Sequence, residues 1–288
     1  MSNFEPAVSV ALVTRNRPDS LCRALASLRS QSNQPFEVIV SDDSSEKFYQ
    51  DRNKESAKYY NCRYLQGPAR GLYANRNHVA LACRGTHVRS MDDDHVLPED
   101  HCKIVQSWVR SFPNDVLVMG EFSSACPVDA GVVTIPGQLH PRGFSLPPKK
   151  REEYYGISCG SSIYPKKVFD LGYRLCEDFL FGSAYLEFGS LLKMKGIKIR
   201  HLYETSIMHY CGSSDFRRDE IVFPSIIFSI ICHSWYYQPS FTNKSLSLLQ
   251  MFIFLLKRRK KFYNELSQGL YAAKKRKQEV SRLPSLCG

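Results

Sequence analysis

The chain has 288 residues, a formal net charge of +11, and a composition that is 43% hydrophobic and 23% charged. This length suffices for one large domain, or for a catalytic domain with an appendage, so the fold needs no disulfide to stabilise it. The composition excludes a disordered chain and a chain made of membrane spans. Ten cysteines without a CxxC pair, and no secretory leader before the first apolar run at Val8, predict reduced thiols and a cytoplasmic location.

Most of the excess positive charge lies near the C-terminus. Residues 257–288 contain ten Lys and Arg residues against only Glu265 and Glu279, which gives a net charge of +8. Because the rest of the chain is nearly balanced, we expect the basic character to belong to a tail and not to a functional site. No nucleic-acid partner is expected, since a nucleic-acid enzyme usually spreads its basic residues over the binding surface.

In the first half of the chain, short β-branched runs alternate with helical patterns, which is typical of a parallel sheet covered by helices. The predicted strands are residues 8–13, 36–40, 63–65, 86–91 and 115–119. A helix is predicted after Pro18, with Asp19 or Ser20 as its cap, and two more are predicted at residues 73–82 and 98–110.

Two of these strands run into clusters of polar residues. Strand 36–40 is followed by Ser41-Asp42-Asp43-Ser44-Ser45, and strand 86–91 is followed by Asp92-Asp93-Asp94. Open α/β sheets bind ligands at the carboxyl ends of their strands. We therefore predict a binding site where these two strands end.

The second half is less regular. Residues 126–155 are rich in Pro and Gly and lack periodicity, so we predict a loop region over the site. A strand is predicted at 161–164, a helix at 179–195, and two short strands at 198–202 and 206–209.

The C-terminal segment raises the question of a membrane. Residues 221–243 carry no charge, but Pro224 and Pro239 interrupt them, which argues against a span. The apolar residues 246–256 run directly into five basic residues, 257–261. This pattern fits a helix lying on an anionic membrane surface, and equally a helix packed on the domain with a solvated basic end.

The acidic cluster Asp92-Asp93-Asp94 is the sharpest chemical signal. Adjacent carboxylates repel one another and are stable as ions mainly where a cation or hydrogen-bond donors compensate them. Oxygen ligands suit Mg²⁺ or Mn²⁺, and Mg²⁺ usually fills its remaining positions with water and phosphate. A solvated acidic turn is the simpler alternative, but the position at a strand end favours a metal with a phosphorylated ligand.

Several motifs together resemble an inverting family 2 glycosyltransferase with a GT-A fold. The resemblance covers about 200 residues and is most specific over residues 1–94. It is carried by the motifs at residues 8–18, 37–45, 71–77, 91–94, 176–179 and 208–210. It implies a mostly parallel central sheet flanked by helices, followed here by a helical basic C-terminal extension, and a nucleotide-sugar donor, with a UDP-sugar favoured.

The family pattern also implies roles for individual residues. Asp178 would be the general base, and Asp94 and His209 would hold Mn²⁺ or Mg²⁺. Asp43 would recognise the base, Asp92 would face the ribose and Arg76 would lie at the donor site. The implied donor-nucleotide-binding set is Val13, Asp43, Arg76, Asp92 and Asp93.

The resemblance divides the chain into a catalytic domain, residues 1–215, and an extension, residues 216–288. The donor half would cover about 1–120 and the acceptor half about 121–215. Residues 165–176 are shorter than the family's usual acceptor loop. The acceptor is therefore open between a carbohydrate, a lipid-linked molecule and a protein.

Three other functions are compatible with parts of the sequence. A sugar-nucleotide nucleotidyltransferase normally has a glycine-rich phosphate loop after its first strand, and residues 14–18 contain no glycine. A nucleic-acid binder is disfavoured because the aromatic residues are not interleaved with the basic tail. A catalytically inactive relative that only binds a nucleotide-sugar stays open.

Overall fold

A computed structural model of the chain describes residues 5–123, 135–150, 153–210 and 219–286. Ten strands lie within these ranges. In chain order they are β1 (Val8–Thr14), β2 (Glu37–Asp42), β3 (Arg63–Gln66), β4 (His87–Asp92), β5 (His95–Val96), β6 (Val116–Ser123), β7 (Gln138–Leu139), β8 (Ser145–Leu146), β9 (Ser162–Pro165) and β10 (Ile199–His209).

Eight of these strands form one mixed sheet in the order β3-β2-β1-β4-β9-β6-β10-β5, and β7 pairs with β8 in a separate hairpin. Strands β1 to β4 are mutually parallel, as are β6 and β10. Strand β9 is antiparallel to β4 and β6, and β5 is antiparallel to β10. The predicted α/β fold with a mostly parallel sheet is confirmed.

Helices cover both faces of the sheet. Those in the described ranges are α1 (Pro18–Arg29), α2 (Lys47–Tyr59), α3 (Leu72–Ala82), α4 (His101–Ser111), α5 (Lys167–Asp170), α6 (Ala184–Met194), α7 (Asp219–Ile231), α8 (Phe241–Arg258) and α9 (Lys260–Ser281). A π-helical segment, Cys232–Tyr237, follows α7.

Strand β1 is buried along its whole length because it lies between two apolar clusters. Its side chains alternate between the two faces of the sheet. Val10 and Leu12 join the cluster shared with α1 and α4. Ala11 and Val13 join the cluster shared with α3, α6, α7 and α9.

The predicted elements of the first half are present, with ends that differ by up to four residues. One helix, α2, was not predicted, because only Asn53 and Ala57 are buried in it and it has no apolar period. The predicted cap of α1 is wrong. The helix begins at Pro18, whose fixed φ suits the first helical position and which has no N–H to satisfy, so no side chain caps it.

In the second half, two elements differ from the prediction. The helix expected from residue 179 begins at Ala184, because Gly182 has φ +128°, which is not a helical conformation. A side chain would not fit at Gly182, since a Cβ atom there would lie 2.1 Å from the Ser225 hydroxyl oxygen. The two short strands form one strand, β10, with an irregularity between His201 and Ser206.

The predicted loop region lies partly outside the described residues, at 126–134 and 151–152. Its described part contains the β7–β8 hairpin, which contacts α6. Gly143 of this hairpin packs against Ile226 and Ile230 of α7.

The C-terminal helices fold back onto the domain, with α9 packed along α7. Arg276 of α9 forms a buried ion pair with Glu187 of α6, at 2.9 Å. The predicted helical extension is therefore present and docked. Its boundary between residues 215 and 216 lies outside the described residues. In the part of the chain that the structure describes, no helix combines the length and apolar character needed to cross a membrane.

Candidate functional site

The acidic clusters meet because their strands are parallel and end at the same edge of the sheet. In the register of β1, Val13 lies opposite Asp92 of β4, and Thr14 lies opposite Asp42 of β2. The side chain of Val13 is buried. The backbone N–H of Asp43 donates to the carbonyl of Thr14 at 3.0 Å, which places Asp43 beside the end of β1.

Arg17, in the turn between β1 and α1, compensates two of the three clustered carboxylates. Its guanidinium lies 2.5 Å from the Oδ1 atom of Asp93 and 2.9 Å from the Oδ2 atom of Asp94. Thr14 donates its hydroxyl to the other oxygen of Asp93 at 2.7 Å. The Asp93 side chain is wholly buried, and this burial raises its pKa to about 7.

Arg76 of α3 is a buried arginine that acts on Asp92. It donates one hydrogen bond to the Asp92 carboxylate and another, at 2.6 Å, to the hydroxyl of Ser90. Burial favours the neutral guanidine, but the charge of Asp92 outweighs it and raises the pKa of Arg76. Arg76 therefore stays charged and orients Asp92, whose side chain is partly exposed.

A possible metal centre lies where β5 pairs with β10. The antiparallel register places His95 directly opposite His209. The Nε2 atoms of these residues lie 3.8 Å and 3.5 Å from the Oδ1 atom of Asp94. One candidate ligand atom from each of the three residues lies within 4.8 Å of the others.

The donor set fits a divalent cation. The Oδ1 atom of Asp94 and the Nδ1 atom of His95 are buried and have no hydrogen-bond partner among the described residues. Burial by itself would raise the pKa of Asp94, but the nearby imidazole of His209 and the charges of His95 and Arg17 lower it. A carboxylate held ionised beside two imidazoles is a suitable ligand set.

His95 and Glu121 were not recognised in the sequence. His95 directly follows the three aspartates, so its position in the chain was a usable signal. Glu121 had none, because it belongs to β6 and reaches the site only through the sheet. Its Oε2 atom lies 3.7 Å from the Nδ1 atom of His209, and its Oε1 atom accepts a hydrogen bond from Ser161 at 2.8 Å.

Gly160 brings a loop close over the acidic cluster. A Cβ atom at this position would lie 2.3 Å from the Oδ2 atom of Asp92 and 2.6 Å from the Cε1 atom of His95. Both distances are shorter than a van der Waals contact. Only glycine therefore lets the backbone approach these two side chains so closely.

Asp42 and Asp43 differ in their surroundings. The Asp42 carboxylate accepts hydrogen bonds from Ser44, Asn53 and Tyr64, at 2.8–3.0 Å, so it organises the turn. Asp43 accepts one from the backbone N–H of Ala69 at 2.9 Å. Burial raises the pKa of Asp43.

Asp178, the predicted base, forms an ion pair with Lys275 of α9, at 2.5 Å. Lys275 belongs to the basic C-terminal segment, so this segment contacts a residue of the predicted site. The preceding Glu177 is held by Arg70 at 2.8 Å and by Asn77 of α3 at 2.9 Å. The two adjacent carboxylates therefore have different partners, and that of Asp178 comes from the C-terminal extension.

A sequence model described as Glycosyl transferase family 2 matches residues 9–171, which is more than half of the chain. The chain belongs to glycosyl transferase family 2. The matched range of this family 2 chain includes Val13, Asp43, Arg76 and the cluster at 92–94. It ends before Asp178 and His209.

Solved structures show the same fold. The structure of S. aureus TarS matches with a TM-score of 0.65 and 18% identity, covering 95% of this chain and 50% of that one. A TarS fragment, residues 1–349, in complex with UDP-GlcNAc matches with a TM-score of 0.64 and 16% identity, covering 95% of this chain and 83% of that one. GalNAc-T7 with UDP, GalNAc and Mn²⁺ matches with a TM-score of 0.61 and 13% identity, covering 86% and 54%.

The predicted GT-A fold is thus confirmed. The family 2 chain spans half the length of the full TarS chain that it matches. No curated protein matches it.

Proposed function

We propose that this chain is a metal-dependent, inverting glycosyltransferase that moves a sugar from a nucleotide-diphosphate sugar to an acceptor hydroxyl. One observation carries the proposal: in a member of a glycosyltransferase family, Asp92 ends β4, and Asp94, two residues later, faces His209 at the end of β10. Support for a UDP-sugar donor comes from TarS, with UDP-GlcNAc, and from GalNAc-T7, with UDP and Mn²⁺.

In this proposal the donor half, about residues 1–120, binds the nucleotide. Asp43 accepts from the base, beside Val13. Asp92, oriented by Arg76, faces the ribose. Asp93 contributes indirectly to nucleotide binding. Its buried carboxylate pairs with Arg17 and holds this arginine at the site.

The acceptor half, about residues 121–215, contributes His209 and Asp178. Asp94 and His209 would hold Mn²⁺ or Mg²⁺, with His95 close enough to join them. A bound cation stabilises the charge on the leaving diphosphate. Two imidazoles favour Mn²⁺, since Mg²⁺ prefers oxygen ligands.

Asp178 is the proposed general base. It accepts the proton from the acceptor hydroxyl as the oxygen attacks the anomeric carbon. The bond to the diphosphate breaks from the opposite side, so a single displacement inverts the anomeric configuration. The proposed acceptor is a carbohydrate, a lipid-linked molecule or a protein, in polysaccharide or glycoconjugate synthesis. The proposed location is the cytoplasm.

The metal assignment predicts the behaviour of Asp94→Ala. We expect UDP binding in the presence of Mn²⁺ to weaken by at least about tenfold. Loss of a residue that only supports a metal ligand already lowers metal affinity by about 10–100-fold, and Asp94 is proposed as a ligand itself. The fold should survive, since Arg17 keeps its contact with Asp93. Isothermal titration calorimetry measures the affinity, with Asp51→Ala as an exposed acidic control. Unchanged affinity in folded Asp94→Ala protein would remove the metal assignment.

The ion pair with Lys275 predicts an effect on the rate of transfer. The ammonium of Lys275 lies 2.5 Å from the Asp178 carboxylate and holds it in place. We expect Lys275→Gln to lower kcat/KM by about 1.4- to 5-fold, because an exposed pair contributes about 0.2–1 kcal/mol.

Lys274→Gln is the matched control, because Lys274 is the exposed neighbour of Lys275 on the same helix. Its kcat/KM should equal that of the wild type. An unchanged kcat/KM for Lys275→Gln would show that Lys275 does not act on the base. Lys275→Arg should restore the wild-type kcat/KM.

A further inference from the structure

Helix α8 presents a row of large apolar side chains to solvent. Leu248, Leu249, Phe252 and Leu256 are each between 50% and 61% exposed, and Phe241 is 89% exposed. At 100° per residue these five positions fall within an arc of about 100°. We call them the apolar row. It is about 22 Å long, at 1.5 Å per residue.

The opposite side of α8 attaches the helix to the protein. Ser247, Gln250 and Phe254 are buried. The indole N–H of Trp235 donates to the hydroxyl of Ser247, and Arg142 donates to Gln250. The apolar row is thus turned away from the domain by a helix that is already packed. A contiguous exposed apolar surface of this kind marks an interaction site.

The charged residues of α8 itself are all positive. Helix α8 contains no Asp or Glu, and exposed Lys257, Arg259 and Lys260 follow the row at its C-terminal end. Arg258 is different, because it turns inward to a largely buried pair with Glu265 at 2.5 Å. Three exposed basic residues therefore adjoin the apolar row.

We propose that α8 lies on an anionic lipid membrane, with the apolar row inserted at the boundary between headgroups and acyl chains. Lys257, Arg259 and Lys260 then contact lipid phosphates. An anionic bilayer supplies an apolar layer for the exposed apolar side chains and negative charge for the basic ones. It therefore complements this face of α8. A second copy of the chain would bring the same positive charges to the contact, and is disfavoured by repulsion.

This inference does not rest on the proposed sugar transfer, because none of these residues belongs to the candidate site. The full chain is mixed with vesicles of equal parts phosphatidylglycerol and phosphatidylcholine, and separately with phosphatidylcholine alone. Co-sedimentation should be strong on the anionic vesicles at low salt, weaker at high salt, and weak on the neutral vesicles.

Two multiple variants separate the electrostatic attraction to lipid phosphates from the burial of apolar side chains. Lys257→Gln, Arg259→Gln and Lys260→Gln together should reduce binding to anionic vesicles by about 100-fold, roughly fivefold for each charge removed. Leu249→Ser, Phe252→Ser and Leu256→Ser together should reduce it by at least about tenfold, through lost apolar burial. Arg258 is left intact so that its pair with Glu265 persists.

Matched control variants remove exposed basic or aromatic side chains from other surfaces of the protein. Lys54→Gln, Lys58→Gln and Lys103→Gln remove three exposed charges, and Phe48→Ser with Tyr59→Ser removes two exposed rings on α2. Both controls should bind vesicles as the wild type does, and all variants should keep the wild-type circular dichroism spectrum and UDP affinity.

Three outcomes would overturn the proposal: no binding to anionic vesicles at low salt, equal losses in the control variants, or vesicle binding that the apolar-row variant leaves unchanged. Light scattering adds a fourth. If the wild type is a dimer in solution and the apolar-row variant a monomer, the occupant is a second copy and not a membrane.

Discussion

Asp178→Asn is expected to lose transfer by about 10²–10⁴-fold while binding nucleotide and metal normally, because a general base acts on the acceptor and does not hold the donor. Asparagine has nearly the same shape and can still accept a hydrogen bond from Lys275, so the local structure should persist. The carboxylate that takes the proton is the only group lost.

The measurement is turnover of a panel of nucleotide-sugars with Mn²⁺, together with calorimetry of UDP binding. Asp170→Asn serves as the control, since Asp170 is exposed and pairs only with Lys166 among its described contacts. Turnover of Asp178→Asn within about tenfold of wild type would contradict the base role. A wild-type chain that binds UDP but neither transfers nor hydrolyses any donor would instead be the inactive relative.

Arg276→Met is expected to destabilise the fold by about 3–5 kcal/mol, because it leaves the buried carboxylate of Glu187 without its countercharge. Both side chains are almost fully buried, at 4% and 0% exposure. Two guanidinium nitrogens of Arg276 donate to Glu187, at 2.9 Å and 3.2 Å, and one donates to the carbonyl of Arg174 at 2.8 Å. Tyr237 donates its hydroxyl to the same carboxylate.

Urea unfolding, followed by circular dichroism, gives the change in the free energy of unfolding. The double variant Arg276→Met with Glu187→Leu should recover much of the loss, since replacing both members of a buried pair by apolar residues is often neutral. Lys274→Met, exposed on the same helix, should change stability by no more than about 0.5 kcal/mol. If Arg276→Met cost no more than that, the pair would not be what docks α9.

The Asp178 and Arg276 contacts have a common consequence for the C-terminal extension. Adjacent residues of α9 reach the predicted base through Lys275 and the core through Arg276. A truncation within α9 would therefore alter the candidate site as well as the fold. The sequence suggested a separate basic tail, because a count of charges describes composition only. It carries no information on where a helix packs against the domain.

The sequence by itself determined the strands and the acidic clusters of the first half. Strand β1 and the end of β4 could be predicted because β-branched runs and strand-end carboxylates are local patterns, and parallel strands bring their carboxyl ends to one edge. Helix α2 escaped prediction for the converse reason, since it packs through few side chains and has no apolar period.

Only the tertiary structure decided which side chains meet. His95 faces His209 because β5 pairs with β10 across more than a hundred residues, and a register shift of one residue would turn the imidazole away. Likewise, Arg17 reaches Asp93 and Asp94 from another turn, and Lys275 reaches Asp178 from the last helix. These contacts are set by strand register and helix docking, which depend on long-range packing and leave no local pattern in the sequence.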